Sequence, residues 1–94
     1  MSAKTSKVEI VTEAGAAEVI DRPAYIDSIR WVGASTAADA LVVTDLQDNV
    51  LFESVAPGPD YVEESSLYKK FTNGVSGVKV PTMDSGKLYL YYWE

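Results

Sequence analysis

Apolar residues in this chain come in short runs separated by turn-forming residues, and the run at residues 40–54 is the clearest. In ALVVTDLQDNVLFES, two apolar segments rich in branched side chains flank the polar residues Gln47-Asp48-Asn49. Branched and bulky side chains suit a pleated strand, and Asp and Asn tolerate the positive φ angles of tight turns. The pattern predicts a β-hairpin, which sets the class of the domain.

The N-terminal part shows a weaker version of the same pattern. Residues 7–12, KVEIVT, alternate with Val8 and Ile10 on one face, as in a half-buried strand. Residues 13–16 predict a reversal, and residues 17–21 return as a second short strand, so the two are expected to pair as a first hairpin. The segment EAGAAEVI is also compatible with one helical turn.

Pro23 ends that region, and residues 24–32, AYIDSIRWV, predict a third strand. Neither of its faces is purely apolar. We expect Ile29 and Trp31 to point inward, with Tyr25 on the same side by simple alternation. The small polar residues 33–39 then form a loop that leads into the central hairpin.

After the hairpin, residues 55–60 carry two prolines around a glycine and predict a stiff loop. Residues 67–71, LYKKF, are expected to form an edge strand protected by its lysines. Residues 75–82 predict a short strand stopped by Pro81. Residues 87–93, KLYLYYW, form the last predicted strand.

The last strand is bulky on both faces. Leu88, Leu90 and Tyr92 share one face, and Tyr89, Tyr91 and Trp93 share the other. If the leucine face belongs to the core, the aromatic face points outward and is suited to an interface, because Tyr and Trp give large contact areas at low entropic cost. The alternative is that the aromatic face lines the core and the leucines lie under a loop.

Seven to eight short strands without a convincing helix indicate an all-β fold. We predict a small antiparallel β-sandwich of jelly-roll or Greek-key type, formed by one domain over residues 7–94, after a flexible N-terminal tail at residues 1–6. With 47% hydrophobic residues the chain has enough apolar material to fold. A domain of this size is marginal alone, which favours oligomerisation or docking on a partner.

Composition excludes several kinds of chemistry. The chain has no histidine and no cysteine, so triads of the Ser-His and Cys-His kinds and thiolate metal sites are ruled out. The net charge of −6 disfavours nucleic acid as a partner. No apolar run approaches a membrane span, and no signal peptide is evident. We expect no enzyme activity, no cofactor, no metal, no nucleic acid and no membrane partner.

The remaining candidates for chemistry are carboxylates. Asp45 and Asp48, with Asn49, offer oxygen ligands at the hairpin tip, but the calcium-loop pattern is absent and turn chemistry is favoured. The acidic cluster Asp60, Glu63 and Glu64 is interpreted as a solvated or partner-facing segment. Glu13, Glu18 and Asp21 are dispersed, and a glycosidase-like acid pair is disfavoured because so short a chain lacks room for a large cleft.

Three segments resemble a family of small tailed-phage proteins. They are Arg30-Trp31-Val32-Gly33, the hairpin from Val43 to Ser54, and the closing strand region from Gly77 to Tyr91. The chain departs from that family's pattern at Gln47-Asp48-Asn49, where a Gly-Asn turn is expected. The resemblance implies a virion structural protein, with capsid decoration (cement) as the best-fitting role.

From the resemblance we expect a protein made in the host cytoplasm and carried on the capsid surface. Its expected partners are the major capsid protein and copies of itself, as a dimer or trimer. The expected interface residues are Tyr61, Tyr68, Tyr89, Tyr91 and Trp93. Two other roles stay open, a carbohydrate-binding module on the virion and an accessory protein of the tail or baseplate.

Overall fold

The computed structural model describes residues 6–93, except for the side chains of Ala16 and Ala17. This part of the chain contains eight β-strands. They are β1 (Ser6–Val11), β2 (Gly15–Ile20), β3 (Tyr25–Ala34), β4 (Ala40–Thr44), β5 (Val50–Val55), β6 (Tyr61–Ser66), β7 (Val78–Met83) and β8 (Lys87–Trp93). The predicted all-β class is confirmed. Within residues 6–93 no helix is long and apolar enough to cross a membrane. The predicted tail lies outside the described residues except for Ser6, which begins β1.

The strands form two four-stranded sheets, and all of their pairings are antiparallel. The first sheet has the order β1-β8-β3-β6, and the second has the order β2-β7-β4-β5. Only β4 and β5 follow each other within one sheet, so every other connection crosses between the sheets. This is the strand order of a jelly roll, in which two Greek keys form a sandwich. The predicted antiparallel sandwich is confirmed, and the order selects the jelly roll.

The central hairpin is formed as predicted, with Val43 opposite Phe52 and Leu41 opposite Ser54. Its turn is organised by Asp45, whose carboxylate accepts the backbone N–H groups of Gln47 and Asn49, both at 2.9 Å. Asp48 adopts a positive φ of 66°. These are the local bonds that favour Asp and Asn in turns.

The predicted first hairpin is wrong. Strand β1 pairs with β8 over its whole length, and β2 pairs with β7. The short connection at residues 12–14 therefore crosses from one sheet to the other instead of reversing the chain within one sheet. Such pairing places each N-terminal strand beside a C-terminal strand that is distant in sequence, a partner that local pattern does not reveal.

Strand β3 contains a β-bulge that changes which residues face the core. Ile26 lies opposite Tyr92 and Ser28 lies opposite Tyr91, so Asp27 is the extra residue. The Asp27 carbonyl accepts the N–H of Leu67 at 2.9 Å. Because the bulge shifts the alternation by one residue, Ile26 is buried on the same side as Ile29, and Tyr25 is half-buried on the other side. The expectation that Tyr25 points inward is therefore wrong.

Two further expectations about strand ends are corrected. Residues 67–71 form a turn that begins with the buried Leu67, and the edge strand beside β3 is β6. Pro81 lies inside β7 instead of stopping it. The pairing of β7 with β4 shifts register at this point, between the partners of Val42 and Thr44, and such irregularities are where a sheet tolerates proline.

The core lies between the two sheets. Trp31 is fully buried, and its indole N–H donates to the Ser85 carbonyl at 2.9 Å. The other buried apolar residues come from both sheets and from the loops, namely Val11, Ile20, Ala24, Ile26, Ile29, Ala34, Leu41, Val43, Leu51, Ala56, Leu67, Val78, Val80, Met83, Leu88, Leu90 and Tyr92. The leucine face of β8 thus belongs to this core.

Candidate interaction surface

Strand β8 places Tyr89, Tyr91 and Trp93 on the outer face of the first sheet, where each is half-buried. We call these three residues the aromatic stripe. Leu88 and Leu90 on the opposite face of the strand are fully buried. Of the two orientations that the sequence leaves open, the structure shows the one with outward-facing aromatic residues.

The aromatic stripe is extended on one side by apolar residues of β1. Val8 lies opposite Tyr91 and Ile10 lies opposite Tyr89. Val8 and Ile10 remain 50% and 52% exposed, while Val11 at the end of β1 is the residue that enters the core. The predicted half-buried strand is present, but its Val8 and Ile10 face points to the outside of the sandwich.

On the other side of the stripe the outer face becomes mixed in polarity. Arg30 of β3 lies opposite Tyr89, and its guanidinium is 3.8 Å from the Glu64 carboxylate of β6. Val62 on β6 is 48% exposed. The outer face of the first sheet therefore has an apolar half over β1 and β8, and a half over β3 and β6 where charge and apolar surface alternate.

Trp93 lies at the end of the stripe and borders a groove. Its indole N–H donates to the Ser6 hydroxyl at 2.8 Å. The groove has a volume of about 420 Å³ and is lined by Tyr25, Ile26, Tyr68, Phe71, Thr72 and Trp93. Most of these side chains are aromatic, so the groove offers flat apolar walls with a few hydroxyl groups at hand.

Four of the five predicted interface residues are brought together by this arrangement. Tyr89, Tyr91 and Trp93 form the stripe, and the exposed Tyr68 joins Trp93 at the groove. The sequence reasoning missed Phe71, which was assigned to an edge strand. The positions of the aromatic residues in the sequence do not predict this cluster, because the turn at residues 67–71 and the bulge at Asp27 bring them together.

Tyr61 lies apart from the other four. It is on the inner side of β6, with its ring edge-on to Trp31 at 5.9 Å between centroids. Its hydroxyl donates to the Glu63 carboxylate at 2.7 Å, and the Ser54 hydroxyl on β5 bonds to the same carboxylate oxygen. The hydrogen bond to Glu63 raises the pKa of Tyr61 above its ordinary value. This trio links the edges of the two sheets.

The carboxylates do not converge on a site in the described residues. Glu63 faces inward toward Ser54, whereas Glu64 on the next position faces outward toward Arg30, so strand alternation divides the predicted acidic cluster. No group of three or more His, Cys, Asp or Glu among residues 6–93 has a geometry that could hold a metal ion.

At the hairpin tip both carboxylates already have partners within the protein. Asp48 forms an ion pair with Lys79 of β7. Desolvation raises the pKa of Asp45, but the hydrogen bonds from Asn49 and Gln47 and the charge of Lys79 outweigh it, so the pKa lies below its ordinary value. Turn bonds account for the Asp45 carboxylate, and the ion pair with Lys79 accounts for that of Asp48.

Comparison with known proteins gives no match to a family model, a curated protein or a solved structure. The jelly roll itself occurs in viral capsid domains and in lectins, so the fold allows several functions. The function must therefore be argued from the surface.

Proposed function

We propose that this protein is a non-catalytic decoration protein that binds the major capsid protein on the shell of a tailed phage and stabilises the head. In this proposal it is made in the host cytoplasm and acts on the virion surface. The observation that carries the binding role is the apolar half of the outer face, where the aromatic stripe continues into Val8 and Ile10.

The chemistry of that face supports protein binding. Contiguous exposed apolar surface on a small domain is typical of interaction sites, and aromatic residues are enriched in interface cores. Tyr and Trp bury much area while losing few rotamers. The rim supplied by Arg30 and Glu64 is polar, as rims of protein interfaces usually are.

The charge and composition also fit this role. A net charge of −6 disfavours uncontrolled association of free protein before it meets the shell. Binding to a large assembly would also stabilise the folded state by mass action, which suits a domain with a small core and no disulfide.

The proposal is tested by cosedimentation of purified protein with shells assembled from major capsid protein. Tyr91→Ala and Trp93→Ala should each weaken shell binding by about tenfold or more, since buried aromatic anchors dominate such interfaces. The control is Val55→Ala, which alters an apolar residue on the second sheet that is 61% exposed. Unchanged binding by both aromatic variants would contradict the proposal, and copy number per particle would distinguish shell from tail.

The groove supports a second candidate function, glycan binding. Its aromatic walls can stack on sugar rings, and the hydroxyls of Tyr68 and Thr72 can bond to sugar hydroxyls. Glycan titration should change the fluorescence of Trp93, whereas the fully buried Trp31 should not respond. In a Trp31→Phe variant the signal comes from Trp93 alone. If sugars leave that signal unchanged, glycan binding is rejected while shell binding is unaffected.

A further inference from the structure

Strand β1 is the most regular of the edge strands in the described part of the chain. The two sheets have four edge strands, β1, β6, β2 and β5. Strand β1 pairs with β8 over six consecutive residues without a register shift, whereas the pairings of the other three all contain shifts. Bulges and irregular pairing protect sheet edges from further association, and β1 lacks them.

The residues of β1 also favour association. Ser6–Val11 contains neither proline nor glycine, and it carries one charge of each sign, Lys7 and Glu9. By contrast, β6 carries the adjacent carboxylates Glu63 and Glu64, which would repel those of an identical strand. Strand β1 is therefore the regular edge, and it is also the edge strand that carries both a positive and a negative charge to pair with those of a second copy.

We propose that two copies of this chain associate through antiparallel pairing of their β1 strands, with Val8 on the two-fold axis. In this register Lys7 lies opposite the partner's Glu9, Val8 lies opposite the partner's Val8, and Ser6 lies opposite the partner's Ile10. Directly opposed residues of antiparallel strands lie on the same face, so the outer faces of both copies stay aligned.

The charges select this register over its neighbours. Shifting the axis to Lys7 or to Glu9 places like charges directly opposite each other, which is unfavourable. Shifting it by half a residue places Val8 opposite the partner's Glu9 and brings an outer face against an inner one. Centring on Val8 is the arrangement that keeps the faces aligned, pairs opposite charges and uses five described residues of β1.

The paired strands would join the two first sheets into one eight-stranded sheet. The two aromatic stripes would then lie on one continuous face, three strand spacings or about 14 Å apart. Val8 and Ile10 of both copies would fill the space between the stripes. The inference concerns self-association of the isolated chain, so it stands or fails separately from binding to a shell.

The test is a charge exchange followed by sedimentation velocity over a range of concentrations. Wild-type protein should show a concentration-dependent dimer. Glu9→Lys and Lys7→Glu should each raise the dimer dissociation constant by about tenfold or more, because each creates two like-charge pairs, and the double exchange should restore it. Glu13→Lys, an exposed turn residue with the same charge change, should leave dimerisation nearly unaltered. Circular dichroism of each variant serves as the control for folding.

A second measurement tests whether Val8 lies on the two-fold axis of the dimer. The chain has no cysteine, so Val8→Cys introduces a single thiol that should oxidise to a disulfide-linked dimer. Val55→Cys, on an edge of the second sheet, should remain monomeric under the same conditions. A wild-type protein that stays monomeric into the millimolar range, a double exchange that fails to restore the dimer, or equal crosslinking of both cysteine variants would overturn the proposal.

Discussion

The two faces of β8 should respond very differently to truncation, and Leu90→Ala is the decisive change. Leu90 is fully buried between the sheets, so removing its side chain leaves a cavity. Leucine-to-alanine changes in such positions cost about 2–5 kcal/mol. A domain of this length has a total free energy of unfolding of roughly 5–14 kcal/mol, so the loss is a large fraction of it.

Tyr91, the next residue along the strand, should behave differently. It is half-buried on the outer face, where its cross-strand partners are Val8 on β1 and Ser28 on β3. Tyr91→Ala removes the apolar contact with Val8 without opening a cavity and should cost at most about 1 kcal/mol. The two neighbouring positions therefore differ in stability effect because they lie on opposite faces of the strand.

Urea unfolding followed by circular dichroism measures the difference. With a slope near 1.5 kcal/mol/M, Leu90→Ala should lower the midpoint by about 1.3–3.3 M, and Tyr91→Ala by at most about 0.7 M. Leu90→Met, which keeps the side-chain volume, should cost less than about 1.5 kcal/mol. Equal losses at Leu90 and Tyr91, or a larger loss at Tyr91, would refute the orientation of β8 and with it the proposed interface.

Three further predictions follow from local geometry. Gly86→Ala should lower the melting temperature by about 8–16 °C, since φ is +81° and a Cβ would lie 2.6 Å from a β3 carbonyl oxygen. Gly33→Ala, with φ at +78° but open space, should lower it by only about 4–8 °C. The Asp45 pKa is lowered on folding, so its stabilisation is present above the ordinary value of 3.8 and is lost as pH falls through the folded pKa. Urea midpoints of Asp45→Ala should therefore fall less on acidification than those of wild type. Glu63→Gln should let Tyr61 ionise at lower pH, which tyrosinate absorbance measures; an unchanged titration would contradict the assigned bond.

Sequence alone was sufficient for the features that depend on local interactions. The central hairpin follows from β-branched runs around Asp45 and Asp48, whose turn bonds form within a few residues. The alternation of Leu88 and Leu90 with aromatic residues was likewise sufficient to show that β8 has two distinct faces. Period-two alternation and turn chemistry are properties of neighbouring residues, so they can be read before the chain folds.

Tertiary structure decided which strands pair and which faces are buried. Val8 and Ile10 have the pattern of a half-buried strand, but pairing of β1 with β8 puts them beside the aromatic stripe on the outside. The bulge at Asp27 reverses the side on which Tyr25 lies and so creates the groove. These outcomes depend on contacts between residues far apart in sequence, and a single shift of register moves every following side chain to the other face.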